Sequence, residues 1–392
     1  MSTVELQIER VVAGGDGMGR GADGRVVFVP GALPGERVRV RVVDDRRQFT
    51  RAELVEVRDA SPLRVTPPCP HHARGCGGCP WQHVAPAAQR DLKRDIVLDA
   101  LRRIAHNDDI DVAPTTELPA AGYRTTVRGL VVDGQFAFRK GYAHDPIEVD
   151  SCLVAHPLIA EVIRVGRFGS ATEVEIRCGV HTGERLVLIE PNAAGVDVPD
   201  DVITVGLNQI ANGDVPYYHE RIAGRTWRIS APSFFQVRAD GAEVLVDLVR
   251  DAVGHAGRIV DLYSGVGLFA GALAQAGRKI TAVEGDQFAA ADAKHNLADT
   301  GAKVVHSEVA KWEPRPAEVV VADPSRSGLG RPGVGAVTAC DPERVVLVSC
   351  DPASMARDVA LLCAEGYKVE RITPVDLFAH TTHVETVTVL SL

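Results

Sequence analysis

The chain is expected to fold as an α/β protein. Its carboxyl-terminal part should form a doubly wound, mainly parallel sheet, with a small β-barrel at the front and a mixed α+β region between. Three observations predict this. Helical and β-branched apolar segments alternate after SAPSFFQV, and short strands alternate with Gly-rich turns over residues 1–59. Between them, a stretch rich in Pro, His and Cys breaks all periodicity after residue 60.

A length of 392 residues allows two or three domains with proper cores. An apolar share of 45% and a charged share of 24% are ordinary for soluble globular protein. No apolar run approaches the ~18 residues needed to span a bilayer. The start, MSTVELQIER, carries Glu5 and Glu9 and no apolar signal core, so a cytoplasmic protein is expected. Eight cysteines in so long a chain are not a disulfide framework, and three of them crowd one short segment, which suggests a metal site. The net charge of −9 is uneven: residues 1–94 hold 15 Lys+Arg against 11 Asp+Glu. A mildly basic front on an acidic body suits contact with phosphates.

At the front, VELQIERVV, RVVFVP, ERVRVRVVDD and TRAELVEVRD read as strands of a small barrel. Alternation along Val38, Arg39, Val40, Arg41 and Val42 gives one apolar and one basic face, whose plainer reading is a solvated exterior. SPLRVTPPCPHHARGCGGCPWQH comes next, a loop held by something other than a core. DLKRDIVLDALRRIA (91–105) is an amphipathic helix with Ile96, Leu98, Leu101 and Ile104 on its apolar side. From about 115 to 230 the strands are mixed, among them TVRGLVV, QFAFRKG, EVEIRCG and RLVLIEP. The last part reads as helix GAEVLVDLVRDAV, strand RIVDLYS, helix LFAGALAQAG, strand KITAVEG, helix AAADAKHNLADTG, and strands EVVVADP and RVVLVSC.

RIVDLYSGVGLFAGALA is a strand, a glycine turn and a helix. Gly265 and Gly267 let a ligand approach the backbone, and Asp261 and Glu284 end successive strands beside it. An acid at the second position can accept hydrogen bonds from ribose hydroxyls. The full G-x-G-x-x-G spacing is missing, so the turn suits a nucleoside ligand without pyrophosphate, such as S-adenosylmethionine. Asp323, in VVVADPSRSG, ends the next strand near the same crevice. In VVLVSCDPASMARD, Cys350 stands where a buried strand meets a loop, a place where open α/β sheets hold ligands. A small core thiol is the plainer alternative there.

In chain order, DLYSGVGLFA, ADPSRSG, LVSCDPASMARD and HTTHVETV resemble the RNA uridine-C5 methyltransferases. With the barrel and the cysteine segment, the resemblance spans nearly the whole chain. It is greatest to the branch with an amino-terminal TRAM domain and an iron–sulfur cluster, which acts on 23S ribosomal RNA. The resemblance implies a class I S-adenosylmethionine methyltransferase sheet and a TRAM, OB-like barrel for RNA binding. It divides the chain into 1–59 (barrel), 60–90 with 113–230 (central, with the cysteine cluster), and 91–112 with 231–392 (methyltransferase). Cys350 would be the nucleophile at uracil C6 and Glu385 the base that removes the C5 proton, with Asp323 and Arg326 supporting them at the uracil. Gln236, Asp261, Tyr263, Gly265, Gly267, Glu284 and Asp323 would form the cofactor pocket. A thiolate nucleophile leads us to expect a partly exposed Cys350 with a lowered pKa.

Cys69, Cys76, Cys79 and Cys152 match the family's [4Fe–4S] ligands. By residue type they also suit zinc, with His71 and His72 as rival ligands. Cys178, Cys340 and Cys363 are expected in the core. Arg39, Arg41, Arg46, Arg47 and Arg51 are candidates for phosphate contact. Ser325 and Ala379 stand where the family usually has proline, Arg238 where it usually has asparagine, and the first cysteine gap is one residue longer. A monomer acting on ribosomal RNA is expected. The alternatives are the same reaction on transfer RNA, in a branch that typically lacks barrel and cluster, and a non-catalytic RNA-binding iron–sulfur protein. A radical enzyme would need C-x3-C-x2-C, whereas this chain has C-x6-C-x2-C.

Overall fold

The computed structural model describes residues 3–107, 109–141, 143 and 145–392. It contains a closed barrel, a six-stranded sheet, a two-stranded hairpin and a seven-stranded sheet. Strands β1 (Thr3–Val11), β2 (Gly17–Arg20), β3 (Val26–Val29), β4 (Arg37–Asp45) and β5 (Phe49–Asp59) close in the order β1-β2-β3-β5-β4. Alternation along β1 and β4 turns Leu6, Ile8, Val38 and Val40 into the barrel core, against Val27, Val29 and Ala52. The glycine-rich stretch before β3 reads in the sequence as one long turn, yet it contains β2. Gly17 is needed there by close approach, since a Cβ would stand 2.6 Å from the Ala32 carbonyl oxygen.

The cysteine segment carries a short turn of helix, α1 (Pro70–Ala73), and leads into α2 (Pro86–Ala100) with a wider last turn through Ala105. Helix α2 begins five residues before the expected 91, because Pro86 suits the first turn, where no N–H is needed. Trp81 is buried between the barrel and α2, in one cluster with Val11, Leu33 and Leu92. Its Nε1 donates to the Gly15 carbonyl at 3.4 Å. A Cβ on Gly15 (φ +88°) would collide with Thr382 and Trp81.

The central sheet uses β6 (Thr126–Val132), β7 (Gln135–Arg139), β8 (Pro146–Glu148), β9 (Glu173–Cys178), β10 (Arg185–Glu190) and β11 (Val202–Gly206), in the order β11-β10-β9-β6-β7-β8. Helix α3 (Pro157–Val165) covers it, packing Ile159, Val162 and Ile163 on Phe136, Val174 and Ile176. Helix α4 (Leu207–Ala211) then leads to the hairpin β12 (Tyr217–Ile222) and β13 (Arg225–Ser230).

The last region runs α5 (Ala239–Val253), β14 (Arg258–Leu262), α6 (Leu268–Leu273), β15 (Lys279–Glu284), α7 (Gln287–Asn296), β16 (Lys303–His306), β17 (Val319–Ala322), α8 (Gly330–Thr338), β18 (Arg344–Ser349), α9 (Pro352–Ala364), β19 (Lys368–Val375) and β20 (Glu385–Ser391). Its strand order is β16-β15-β14-β17-β18-β20-β19. Every neighbouring pair is parallel except those made by β20, which is antiparallel to both β18 and β19. Strand order reverses between β14 and β17, which opens a crevice at their carboxyl ends. Helix α2 packs Val97 and Leu101 on Met355 and Val359 of α9 and on Ile372 of β19. Among the described residues, no helix is long and apolar enough to cross a membrane.

Candidate active site

The crevice edge gathers the predicted residues from several strands. Asp261 is fully buried at the end of β14, and its Oδ2 accepts the Ala270 N–H at 2.9 Å. Its Oδ1 is buried with no partner, and burial, then Asp323 and Glu284, push its carboxyl up to about 8. An orphaned acceptor of this kind fits a ligand that brings a donor, as the ammonium and hydroxyls of S-adenosylmethionine do. Tyr263 adopts φ +59°, a left-handed conformation costly for a bulky residue and one that clusters at functional turns. Beyond Gly265 (φ +55°) nothing lies within 4 Å of where a Cβ would be, so the turn faces open space. Gly267 (φ +93°) caps α6. Glu284 braces the turn, accepting Gly265 N–H at 2.8 Å on one oxygen and Asp286 N–H at 2.7 Å on the other.

Asp323 leaves β17 toward the same crevice, half-buried, with Gln236 Nε2 donating to it at 3.2 Å. Gln236 therefore braces Asp323. Its segment is anchored by fully buried Asp292, which accepts Ser230 N–H at 2.8 Å, Ser230 Oγ at 2.7 Å and Ser233 Oγ at 2.6 Å. In that segment Phe234 is 64% exposed, a large apolar ring left beside the site that no sequence pattern singles out.

Strands β18 and β20 pair through Ser349 and Thr386. One step further along the register, Cys350 meets Glu385. Glu385 is buried, and burial followed by Asp323 raises its carboxyl well above the ordinary value. Burial pushes Asp323 up to about 7. Cys350 is half-buried, as expected, but its thiol is not lowered. Burial, then Glu385 and Asp323, push it up to about 11, against the pull of Arg326. The expectation of a depressed thiol is thus corrected for this state: two acids face the sulfur and outweigh one exposed guanidinium. Three acidic groups in so small a space cannot all ionise, so a proton stays among them at neutral pH.

Arg326 rides on an exposed loop that the helix after Cys350 holds from behind. Asp358 of α9, fully buried, accepts Leu329 N–H at 2.6 Å and Gly330 N–H at 3.0 Å, and Arg357 donates to the Ser327 carbonyl at 2.6 Å. Neither residue stands out in the sequence, where both read as helix surface. Ser325 is exposed; its hydroxyl bonds that of Ser327 at 2.9 Å, and its carbonyl accepts the Gly328 N–H at 2.8 Å.

Cys69, Cys76, Cys79 and Cys152 line one cavity of about 340 Å³, together with Arg124, Arg326 and His383. The donors are therefore of the right type and share one space. As they stand, no group of three or more His, Cys, Asp or Glu among the described residues could hold a metal ion. Both ring nitrogens of His71 are engaged, Nε2 by Asp150 and Ser151 and Nδ1 by Arg74. Cys178 and Cys340 are buried in the core, and Cys363 is partly buried against it.

The barrel arginines are largely paired. Arg39 meets Glu56 at 2.8 Å, Arg41 meets Glu53, Arg46 meets Asp44 at 3.0 Å, and Arg51 meets Asp16 at 3.7 Å. Arg51 also lies over the rings of Phe28 and Phe49. Arg47 is exposed and, among the described residues, makes no ion pair.

Comparison with known proteins agrees with this architecture. The TRAM domain family matches residues 1–55, and the tRNA (uracil-5-)-methyltransferase family matches residues 313–392. A protein of Streptomyces avermitilis described as an uncharacterized RNA methyltransferase is 34% identical, over 98% of this chain and 97% of its own. One of Thermosynechococcus vestitus, described likewise, is 35% identical over 100% and 98%. The crystal structure of Pyrococcus abyssi tRNA (uracil-54, C5)-methyltransferase in complex with S-adenosyl-L-homocysteine shares the fold, with a TM-score of 0.77 and 24% identity over 99% of this chain and 100% of that one. With relatives aligned from end to end and a TRAM match at the front, the chain belongs to the family of TRAM-containing RNA methyltransferases, and its last 80 residues carry the tRNA (uracil-5-)-methyltransferase signature.

Proposed function

We propose that the protein transfers a methyl group from S-adenosylmethionine to C5 of a specific uridine in 23S ribosomal RNA, through a covalent adduct on Cys350. The observation that carries this reading is the juxtaposition of Cys350 and Glu385 across β18 and β20, beside Asp323 and the glycine turn. Uracil C5 is a poor nucleophile. When the Cys350 sulfur adds to C6, electron density moves onto C5, which then takes the methyl. S-adenosylmethionine supplies that methyl on a sulfonium, an electrophile that leaves as a neutral thioether. Glu385 removes the C5 proton, and the sulfur is expelled from C6 as the double bond re-forms. Arg326 offsets negative charge at the uracil and the sulfur, and Asp323, braced by Gln236, orients the base. Asp261, Tyr263, Gly265, Gly267 and Glu284 hold the cofactor, with the unpartnered Asp261 oxygen facing its donors. The target base must leave its stack to reach so enclosed a site.

We assign Cys69, Cys76, Cys79 and Cys152 to a [4Fe–4S] cluster, with zinc as the alternative; the shared cavity supports a common ligand. The division into barrel (1–59), central region (60–90 with 113–230) and methyltransferase region (91–112 with 231–392) belongs to the same reading, as do a cytoplasmic setting and a monomeric state. Barrel residues Arg39, Arg41, Arg46, Arg47 and Arg51 would meet RNA phosphates. The second reading is the same reaction on transfer RNA, favoured by the family description over residues 313–392. The test is transfer of labelled methyl to unmodified ribosomal and transfer RNA, wild type beside Cys350→Ala. We expect 5-methyluridine in ribosomal RNA, lost in the variant. Label in transfer RNA alone selects the second reading, and no label in either RNA sinks both.

A further inference from the structure

Among the described residues only two cationic ones are 0% exposed, Lys93 and Arg238. Both point at the same stretch, residues 376–384, which joins β19 to β20 and ends at Glu385. Lys93 Nζ donates to Asp376 Oδ1 at 2.6 Å and to the Phe378 carbonyl at 2.9 Å. Arg238 donates to the carbonyls of Asp376 at 3.3 Å, Leu377 at 3.2 Å and Pro119 at 3.0 Å. Its fork also grips Asp240 at 2.7 Å through both Nε and Nη2. The guanidinium lies 4.1 Å over the ring of Tyr123, whose hydroxyl donates to the Ala379 carbonyl at 3.1 Å. The Trp81 backbone N–H donates to the His380 carbonyl at 2.9 Å, and Gln89 Oε1 accepts the His380 N–H at 2.7 Å.

Five consecutive carbonyls, 376 to 380, are thus each taken by a donor from outside the stretch. A strand connection ordinarily lies in water, which satisfies its backbone. This one is buried at Asp376, Leu377, Ala379 and His380, so its polar groups need partners from the protein. His380 is also held at φ +64°, a conformation that persists only where the surroundings over-determine it. Stability alone is a poor reason for this arrangement, since burying two cations costs desolvation that apolar side chains would avoid. The stretch leads straight into Glu385, whose carboxyl must sit within reach of the C5 proton.

We propose that Arg238, Lys93 and Tyr123 are positioning residues that fix residues 376–384 so that Glu385 is aimed at the substrate for proton removal. This rests on the assignment of Glu385 as the base.

The test uses Tyr123→Phe, which deletes one hydroxyl and keeps the ring beneath Arg238, and Arg238→Lys, whose single ammonium cannot serve the same four groups. Each is compared with wild type for kcat, for KM toward RNA and S-adenosylmethionine, and for covalent RNA adduct on denaturing gels, with uridine and 5-fluorouridine at the target. A misaimed base slows only the step after methyl transfer. We expect kcat to fall about 5-fold in Tyr123→Phe and about 100-fold in Arg238→Lys, with both KM values falling alongside so that kcat/KM is held. The 5-fluorouridine adduct should form at the wild-type rate, since fluorine cannot be removed as a proton. With ordinary uridine, the methylated adduct should accumulate in both variants. Loss of the fluorinated adduct, a rise in KM alone, or wild-type turnover in Tyr123→Phe would overturn the proposal. If Arg238→Lys fails to fold, Tyr123→Phe decides. Absence of the fluorinated adduct in wild type removes the nucleophile and base assignment itself, and the proposal with it.

Discussion

Cys350 and Glu385 lie opposite each other at the open ends of two antiparallel strands, one residue beyond the last paired positions, Ser349 and Thr386. Antiparallel pairing brings facing residues within about 5 Å at the Cα atoms. The proposed nucleophile and base, 35 positions apart in the chain, thereby stand side by side, as attack at C6 and proton removal at the adjacent C5 require. Substituting the base separates their roles. Glu385→Gln should keep adduct formation and slow turnover about 10²- to 10⁴-fold, the usual range for losing a general base. Quenched time courses on denaturing gels report both, and full activity would sink the assignment.

The thiol is pushed up to about 11 in the free protein, so Cys350 is protonated at neutral pH. Adduct formation should therefore rise about tenfold per pH unit from pH 6.5 to 8.5, because the thiolate is the attacking form. Trapping rates with 5-fluorouridine RNA give the slope. A flat profile would mean that bound RNA ionises the thiol.

The buried acids make stability fall with rising pH. Asp261 and Asp323 are pushed up to about 8 and about 7, above the value of 3.8 for an unperturbed carboxyl. Between these limits the folded state holds protons that the unfolded state has released, so their stabilising contribution is full below pH 3.8 and lost through about pH 8. Asp261→Asn keeps an acceptor for Ala270 and removes the charge. Its Tm at pH 8 should exceed wild type by roughly 3 °C, while calorimetry shows weaker cofactor binding.

Asp358→Ala strips two backbone donors of the loop that carries Arg326. We expect a loss of about 2 kcal/mol in unfolding free energy and a higher KM for RNA, with cofactor affinity unchanged. Denaturant melts and calorimetry measure the two effects separately.

On the barrel, cross-strand carboxylates already occupy Arg39 and Arg41. Neutralising Arg47 should lower the salt dependence of RNA affinity by about one phosphate contact, a slope change near 0.7–0.9. Arg39→Ala should change it less. Equal effects would show that RNA displaces the Glu56 pairing.

Much of the sheet was legible because β-branched runs such as those of β14, β17 and β18 are buried on both faces and leave continuous apolar signals. Cys350, Asp323 and Glu284 were legible for a related reason: each stands where such a run stops. Strand β2 was not, since glycines chosen for close backbone approach look the same as glycines chosen for a turn. Lys93 was missed, and Arg238 was noted only as a departure from the family, because charge on a helix or loop reads as surface, and their partners lie 283 and 138 residues away. The raised thiol of Cys350 was equally hidden, since it depends first on burial and then on acids that only the folded chain brings together.

The contact of Gly15 with Trp81 and Thr382 bears on how such a protein could have been assembled from parts. A TRAM module looks detachable at residue 60, yet its loop touches the connection that leads to Glu385. A barrel transplanted from another protein would fit only if it brought a side-chain-free residue to that point. The barrel and the connection before Glu385 meet across the proposed boundary, so exchanging the module would reach the proposed active site as well as the barrel.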